Sequence, residues 1–279
     1  MNSLQLEINW SSLLHLPESS SGSRKTDAER LEMIAAQGYT GVQGGDPDLI
    51  RAAGLRFTDG GAVRHPKDAD AVARAAVLSK AEAVTIHVGT GFEDDLQMDA
   101  LLRAILDATQ KHQIPMYIET HRATITQDAW RTVQAAKVFP DLRFNLDFSH
   151  WYTGLEWVYG DMEAKLEFIA PVLDRVRYIH ARIGDSGSIQ VGLNTPNMER
   201  HIAVFEQVWT RAMQGFLSTA APDEVLSFVP ELLHPSINYA RVFPDANNVY
   251  VEESDRWLES WQLAGIGKKC FASALKLVT

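Results

Sequence analysis

The sequence predicts a single (β/α)8 TIM barrel of the α/β class, with residues 1–279 forming one domain. Short apolar segments alternate with longer amphipathic segments, and the alternation repeats eight times. Such alternation is typical of a parallel sheet with right-handed crossovers. Eight units in 279 residues fit a closed barrel. No glycine-rich dinucleotide fingerprint follows the first strand, and no shift in composition marks a second domain.

The predicted strands are short apolar runs bounded by turn residues, as expected for strands that are covered on both faces. The segment AVTIHVG at 83–89, for example, is rich in the β-branched residues that favour strands. The eight predicted strands cover residues 4–10, 41–45, 55–58, 83–89, 115–120, 143–148, 176–183 and 226–232. The third strand is expected to close at the pair Gly60-Gly61.

The predicted helices have recognisable start signals or apolar residues at helical spacing. The first begins at Thr26, an N-cap that Glu29 completes as a capping box, and Pro66 opens the third. The later predicted helices cover residues 48–53, 66–80, 94–112, 126–138, 161–173, 198–217 and 254–275.

Composition and charge exclude several classes of partner. The chain has 46% hydrophobic and 22% charged residues and a net charge of −10. This charge argues against binding to nucleic acid or to an anionic membrane surface. The one cysteine, Cys270, excludes an internal disulfide and fits a reducing compartment. The N-terminal segment lacks a basic n-region, and no apolar run reaches the ~20 residues of a membrane span. We therefore expect a cytoplasmic protein.

Polar side chains that can hold a metal or move a proton recur at the ends of successive strands. The fourth to eighth predicted strands carry, in order, His87, Glu119, Asp147, His180 and Glu231. Each alone has an ordinary explanation, such as a hydrogen-bonded core histidine or a helix cap. Glu119 and Glu231, however, lie within apolar runs where a bare carboxylate is costly to bury. Because active sites of such barrels lie at the C-terminal strand ends, the recurrence predicts a metal site.

The predicted ligands are Glu119, Asp147, His180 and Glu231. Three oxygens and one nitrogen suit one divalent ion such as Mn²⁺, Mg²⁺, Co²⁺ or Zn²⁺. The absence of cysteine ligands argues against a structural zinc site. Three carboxylates around a dication leave a negative net charge, so the site is expected to prefer neutral hydroxyls to phosphate.

Five short motifs resemble the xylose isomerase-like superfamily of sugar isomerases and epimerases. They are HVG at 87–89, IET at 118–120, DFSHW at 147–151, IHAR at 179–182 and PELL at 230–233. In relatives such as the D-tagatose 3-epimerase-like enzymes, the last four strands supply Glu, Asp, His and Glu to the metal. The resemblance assigns these roles to Glu119, Asp147, His180 and Glu231. It also implies substrate binding by His150 and Arg182, and a homodimer, because dimers are common among relatives.

Endonuclease IV shares this barrel and uses several of the same positions, but it assembles a trinuclear zinc site with further ligands. Here the third strand, LRFT, lacks a histidine, and no Asp-x-His motif occurs between Ile183 and Pro230. The acidic chain also disfavours DNA. We therefore expect one metal and no nucleic acid partner.

The preferred hypothesis is an isomerase or epimerase of a sugar or related polyhydroxy carbonyl compound, acting by proton transfer through a metal-bound enediolate. Glu119 and Glu231 would serve as acid and base. The alternative is a dehydratase of a cyclitol or keto sugar, with His150 assisting the departing hydroxyl. A non-enzymatic metal-binding or sugar-binding barrel is a third hypothesis. His87 is also expected to bind substrate, and Trp151 to form a wall of the sugar pocket.

Overall fold

The computed structural model describes residues 2–278 and contains a closed barrel of eight parallel strands. The strand order follows the sequence, and the first and last strands pair to close the barrel. The strands are β1 (Ser3–Asn9), β2 (Gly41–Gln43), β3 (Arg56–Val63), β4 (Val84–Val88), β5 (Met116–Glu119), β6 (Phe144–Leu146), β7 (Val176–Ala181) and β8 (Val225–Pro230). The predicted TIM barrel is confirmed.

Helices follow the strands around the outside of the barrel. They are α1 (Asp27–Ala36), α2 (Pro47–Ala52), α3 (Pro66–Leu78), α4 (Asp95–His112), α5 (Ala129–Val138), α6 (Phe148–Gly154), α7 (Met162–Leu173), α8 (Glu199–Thr219) and α9 (Arg256–Val278). The predicted capping box at the start of α1 is present, with Thr26 and Glu29 each accepting from the other's backbone N–H. Among residues 2–278, no helix is both long enough and apolar enough to cross a membrane.

The third strand is longer than predicted. It continues through Gly60 and Gly61 to Val63 and pairs along this length with β4. The glycine pair was expected to close the strand, but the strand continues through it, and Gly61 allows a close approach of α3. A Cβ on Gly61 would lie 3.0 Å from the side chain of Val72 on α3. The expected end of the strand at the glycine pair is therefore wrong.

The sixth strand is shorter than predicted, because α6 begins immediately after it. Asp147 caps α6, and its side chain accepts a hydrogen bond from the Ser149 N–H. Phe148 consequently lies in the helix instead of the strand. A further unpredicted element follows β8, an antiparallel hairpin of β9 (Val242–Pro244) and β10 (Tyr250–Glu252).

The interior of the barrel contains a buried carboxylate, Glu7 on β1, which the sequence did not single out. Glu7 is 0% exposed and accepts hydrogen bonds from the side chains of Gln5, Thr58, Ser227 and Tyr178. Burial raises the pKa of Glu7, although these four donors oppose the effect. The strands therefore enclose a hydrogen-bonded polar core, and the candidate site lies at their C-terminal ends.

Candidate metal centre

The structure brings the four predicted ligands together at the C-terminal end of the barrel. Glu119 ends β5, Asp147 follows β6, His180 lies near the end of β7, and Glu231 follows β8. One donor atom from each of the four lies within 4.8 Å of the others. Glu119, Asp147 and His180 are buried, and Glu231 is partly exposed. Parallel strands place their C-terminal ends at one rim, which is why residues far apart in sequence meet here.

His180 is held in an orientation that suits a metal ligand. Its Nε2 lies 2.8 Å from Oε1 of Gln43, so the Nε2–H donates to that amide. The amide is itself fixed, because its Nε2 donates to Thr85 over 2.8 Å. His180 Nδ1 then lies 3.3 Å from Glu119 Oε2 and 3.5 Å from Glu231 Oε2. Asn145 Nδ2 also lies 3.0 Å from His180 Nδ1, so an ion that binds this nitrogen replaces that contact. The bond from Nε2 to Gln43 fixes the ring so that Nδ1 faces the carboxylates.

The carboxylates also receive hydrogen bonds from neutral groups around the cluster. Asn145 Nδ2 donates to Glu119 Oε2 over 3.1 Å, and Asn9 Nδ2 donates to Glu231 Oε1 over 2.9 Å. Nothing in the sequence distinguished Asn9, Gln43 or Asn145 from other polar residues in strands. These residues fix the ligand orientations, and the three oxygens and one imidazole nitrogen fit a divalent ion of intermediate hardness.

The pKa values of the cluster show how strongly it favours a cation. Burial alone would lower the pKa of His180, but the charges of Glu231 and Glu119 raise it to about 9. Burial alone would raise the pKa of Glu119, but His180 and His87 hold it well below its usual value. Burial raises the pKa of Glu231, although His180 and Arg182 oppose this shift. The carboxylates therefore stabilise positive charge on His180.

Arg182, which we expected to bind substrate, lies among the predicted metal ligands instead of on the cavity wall. Its side chain is 0% exposed, and its Nη2 contacts Asp147 Oδ2 directly and lies 3.3 Å from Glu231 Oε2. The ring of Tyr239 covers the guanidinium, whose Cζ is 4.6 Å from the ring centroid. The residue forms a buried ion pair with two of the four predicted ligands.

Three histidines stack in a row beside the ligands. The ring centroids of His87 and His121 are 4.2 Å apart, and those of His121 and His150 are 3.8 Å apart. Burial lowers the pKa of His121 to about 4, and burial together with His121 lowers that of His150. Both rings are therefore neutral at pH 7. His121 was missed although it directly follows the predicted strand 115–120, because Glu119 already supplied the polar residue expected at that strand end.

A second group of donor atoms shares Glu119 with the predicted centre. One donor atom each of His87, Glu119 and His121 also lies within 4.8 Å of the others. His87 Nε2 is 3.3 Å from Glu119 Oε2, and its side chain is 39% exposed. The number of metal ions therefore stays a prediction. Experiments have to distinguish one ion at the predicted centre from an ion at this second group of donors.

A cavity of about 370 Å³ opens beside the ligands, on the side of the barrel formed by β1 to β5. It is lined by Asn9, Trp10, Ser11, Gln43, Gly44, Gly45, Asp59, Gly60, Gly61, Thr85, His87, Glu119, His180 and Glu231. The glycines keep this wall open, since a Cβ on Gly45, whose φ is +86°, would lie 3.0 Å from the ring of Trp10. Of the four predicted substrate-binding residues, His87 lines the cavity, whereas His150, Trp151 and Arg182 do not.

Trp151 lies in the core, which contradicts the expectation that it forms a wall of the pocket. It is 1% exposed, and its Nε1 donates to the Thr126 carbonyl over 2.8 Å. The reason is α6, which starts at Phe148 and carries Trp151 inward. Trp10, in the turn after β1, provides the aromatic surface of the cavity instead.

Fold and site together define a (β/α)8 barrel with a carboxylate and imidazole centre at its C-terminal end. No protein-family model matches the chain, and no curated protein matches its sequence. Solved structures do match its fold.

A sugar phosphate isomerase/epimerase from Parabacteroides distasonis is 11% identical, with a TM-score of 0.57 over 96% of this chain and 95% of that one. A xylose isomerase domain protein from Planctomyces limnophilus is 14% identical, with a TM-score of 0.55 over 96% and 97%. The probable 3-DHS dehydratase AsbF from Bacillus anthracis is 14% identical, with a TM-score of 0.55 over 82% and 92%. The predicted resemblance to the xylose isomerase-like superfamily is thereby confirmed at the level of the fold.

Proposed function

We propose that the protein is a divalent-metal-dependent isomerase or epimerase of a sugar or related polyhydroxy carbonyl compound. The observation that carries the proposal is the convergence of Glu119, Asp147, His180 and Glu231 within 4.8 Å. The cavity of about 370 Å³ beside them has room for a small polyol. The fold of the similar structures supports an enzyme of this general kind.

Glu119 and Glu231 are proposed to be the acid and base. When bound, a divalent ion supplies a Lewis acid that makes the C–H next to a carbonyl more acidic. Glu119 comes from β5 and Glu231 from the end of β8, so the two carboxylates reach the cavity from different sides. An epimerisation removes a proton from one face of a carbon and returns one to its opposite face, whereas an isomerisation returns it to the neighbouring carbon. Asn9 holds Glu231 in place, and Asn145 holds Glu119.

The net charge of the site supports a neutral substrate, although this net charge differs from the negative one expected from the sequence. Counting only the predicted ligands left a net negative charge beside the ion. The buried Arg182 adds one positive charge in contact with Asp147, so a dication and Arg182 together balance three carboxylates. Cavity residues such as Asn9, Ser11 and Thr85 then offer neutral hydrogen-bonding groups for hydroxyls.

Exchange of substrate hydrogen with solvent tests the proposal. Wild type and the variants Glu119→Gln and Glu231→Gln are incubated in D₂O with a panel of ketoses and aldoses and with Mn²⁺. Wild type is expected to incorporate deuterium next to the carbonyl of at least one sugar. Each variant should keep its fold and lose the exchange. If both variants incorporated deuterium as fast as wild type, neither carboxylate would be the acid or the base.

A metal-dependent dehydratase of a cyclitol or keto sugar is the second candidate, and the fold of AsbF is compatible with it. Its predicted acid, His150, is 2% exposed and does not line the cavity, so the geometry supports it less well. The two candidates differ in their products, because a dehydratase product loses the mass of water and gains ultraviolet absorbance.

The proposed function also implies a partner, a location and an oligomeric state. A small sugar-like molecule is the proposed partner, with no role for nucleic acid or membranes. A cytoplasmic location and a homodimer are proposed from the cysteine content and from the relatives.

A further inference from the structure

We propose that the positively charged guanidinium of Arg182, which lies within the metal centre, competes with the metal for Asp147 and thereby weakens metal binding. This inference rests on the proposed function, because it assumes that Asp147 and Glu231 are metal ligands. It goes further in assigning to a side chain of the protein the control of how tightly the ion is held.

The first support is the set of contacts that fix the guanidinium. Nη2 contacts Asp147 Oδ2 and lies 3.3 Å from Glu231 Oε2. Nε donates to Ser149 Oγ over 3.2 Å, and Nη1 donates to the Glu231 carbonyl over 3.4 Å. All three nitrogens therefore have partners within the centre. A side chain that is 0% exposed and held in this way is part of the site and not a mobile surface group.

The second support is that both oxygens of Asp147 already have donors. Oδ1 accepts from the Ser149 N–H over 3.0 Å and also from the Ser149 hydroxyl. Oδ2 accepts from Arg182. A metal ion that uses Asp147 must therefore share Oδ2 with the guanidinium or displace it. Among the described residues, no hydrogen bond to Glu119 Oε1 is found, so Glu119 has an oxygen free for an ion.

The third support is electrostatic. An arginine in a protein cannot lose its proton, so its charge cannot be removed when an ion arrives. A dication a few ångströms from a buried guanidinium experiences a repulsion that water screens poorly. The ring of Tyr239, 4.6 Å from Cζ, covers the guanidinium on one face. Removing the charge at 182 should therefore strengthen metal binding, by at least about tenfold.

Calorimetric titration with Mn²⁺ tests the proposal on the full chain. Arg182→Gln keeps a polar side chain but removes the charge, and Arg182→Lys keeps the charge. Arg182→Gln is expected to bind at least about tenfold more tightly than wild type, and Arg182→Lys to remain near wild type. The matched control is Arg177→Gln, on β7, the strand that Arg182 directly follows. Arg177 is also buried and ion-paired, with Glu224 at 2.8 Å, but it lies outside the centre. Its loss should leave Mn²⁺ affinity unchanged.

A measurement on wild type covers the case in which Arg182→Gln does not fold. The Nε–H signal of Arg182 is followed by NMR in protein labelled with ¹⁵N-arginine, assigned with Arg182→Lys, during titration with Zn²⁺. The Arg182 signal is expected to shift as the ion takes Oδ2 of Asp147, whereas the Arg177 signal should not move.

The outcomes separate the two proposals. Equal or weaker Mn²⁺ binding by Arg182→Gln, with wild type binding normally, overturns the role of Arg182 and leaves the metal centre intact. If the Arg182 signal does not shift while Zn²⁺ saturates the protein, the role of Arg182 is likewise overturned and the metal centre is left intact. If neither wild type nor Arg182→Gln binds any Mn²⁺, the metal centre itself fails, and the inference fails with it.

Discussion

Gln43 on β2 and His180 on β7 come from distant parts of the chain, yet Gln43 Oε1 lies 2.8 Å from His180 Nε2. The contact spans the mouth of the barrel and sets which ring nitrogen faces the carboxylates. Gln43 is itself held by Asn9 over 2.9 Å and by Thr85 over 2.8 Å. The orientation of His180, the one nitrogen donor among the four predicted ligands, therefore depends on residues of β1, β2 and β4.

Replacing Gln43 by Leu should weaken Mn²⁺ binding by about 10–100-fold, because His180 loses the acceptor that fixes its tautomer and orientation. Calorimetry gives the affinity, and circular dichroism checks the fold. Ser11→Ala, at another position on the cavity wall, serves as the control and should bind Mn²⁺ like wild type. Unaltered Mn²⁺ affinity in Gln43→Leu would contradict the assigned role of Gln43.

Replacing Trp151 by Phe should lower the free energy of unfolding by about 1–3 kcal/mol, because it removes the hydrogen bond to Thr126 and leaves a cavity in the core. The KM for an identified substrate should not change. Trp10→Phe, on the cavity wall, should do the reverse and alter KM with little loss of stability. Urea denaturation and steady-state kinetics measure the two effects. If Trp151→Phe changed KM without lowering stability, Trp151 would be shown to line the pocket.

Glu259 on α9 gives a prediction for the dependence of stability on pH. It is 3% exposed, and burial raises its pKa from 4.5 to about 7, although the Leu193 N–H and Ser254 oppose the shift. The unfolded chain therefore releases this proton at lower pH than the folded chain. Glu259 consequently lowers stability progressively as the pH rises from about 4.5 to 7, by an amount on the order of 3 kcal/mol in full.

Glu259→Gln should remove this effect, so its stability relative to wild type should increase from pH 5 to pH 8. Urea denaturation of both proteins at several pH values measures the difference. A difference that is the same at every pH would show that Glu259 ionises normally in the folded protein.

The barrel and the convergence of the ligands could be predicted because both follow from the order of strands. Once Glu119, Asp147, His180 and Glu231 are placed at successive strand ends, closure of the barrel brings them to one rim. Residues whose role depends on side-chain direction could not be placed in this way. Arg182 follows the seventh strand as a substrate-binding residue would, but it turns toward Asp147.

Local backbone events account for the other differences. Trp151 follows the predicted sixth strand and was expected to line the pocket. Asp147 instead caps α6, and the helix places Trp151 in the core. Gly60 and Gly61 were expected to end the third strand, yet they continue β3 along the cavity. His121 directly follows the predicted fifth strand, but its stacking with His87 and His150 depends on the path of the loop after β5.

The most direct test of the account is the metal content of the protein after equilibrium dialysis against Mn²⁺, measured by mass spectrometry. Wild type is expected to hold one ion per chain, Asp147→Asn to lose it, and His121→Ala to retain it, since His121 belongs only to the second group of donors. Two ions per chain, or an ion that depends on His121 but not on Asp147, would contradict the assigned centre.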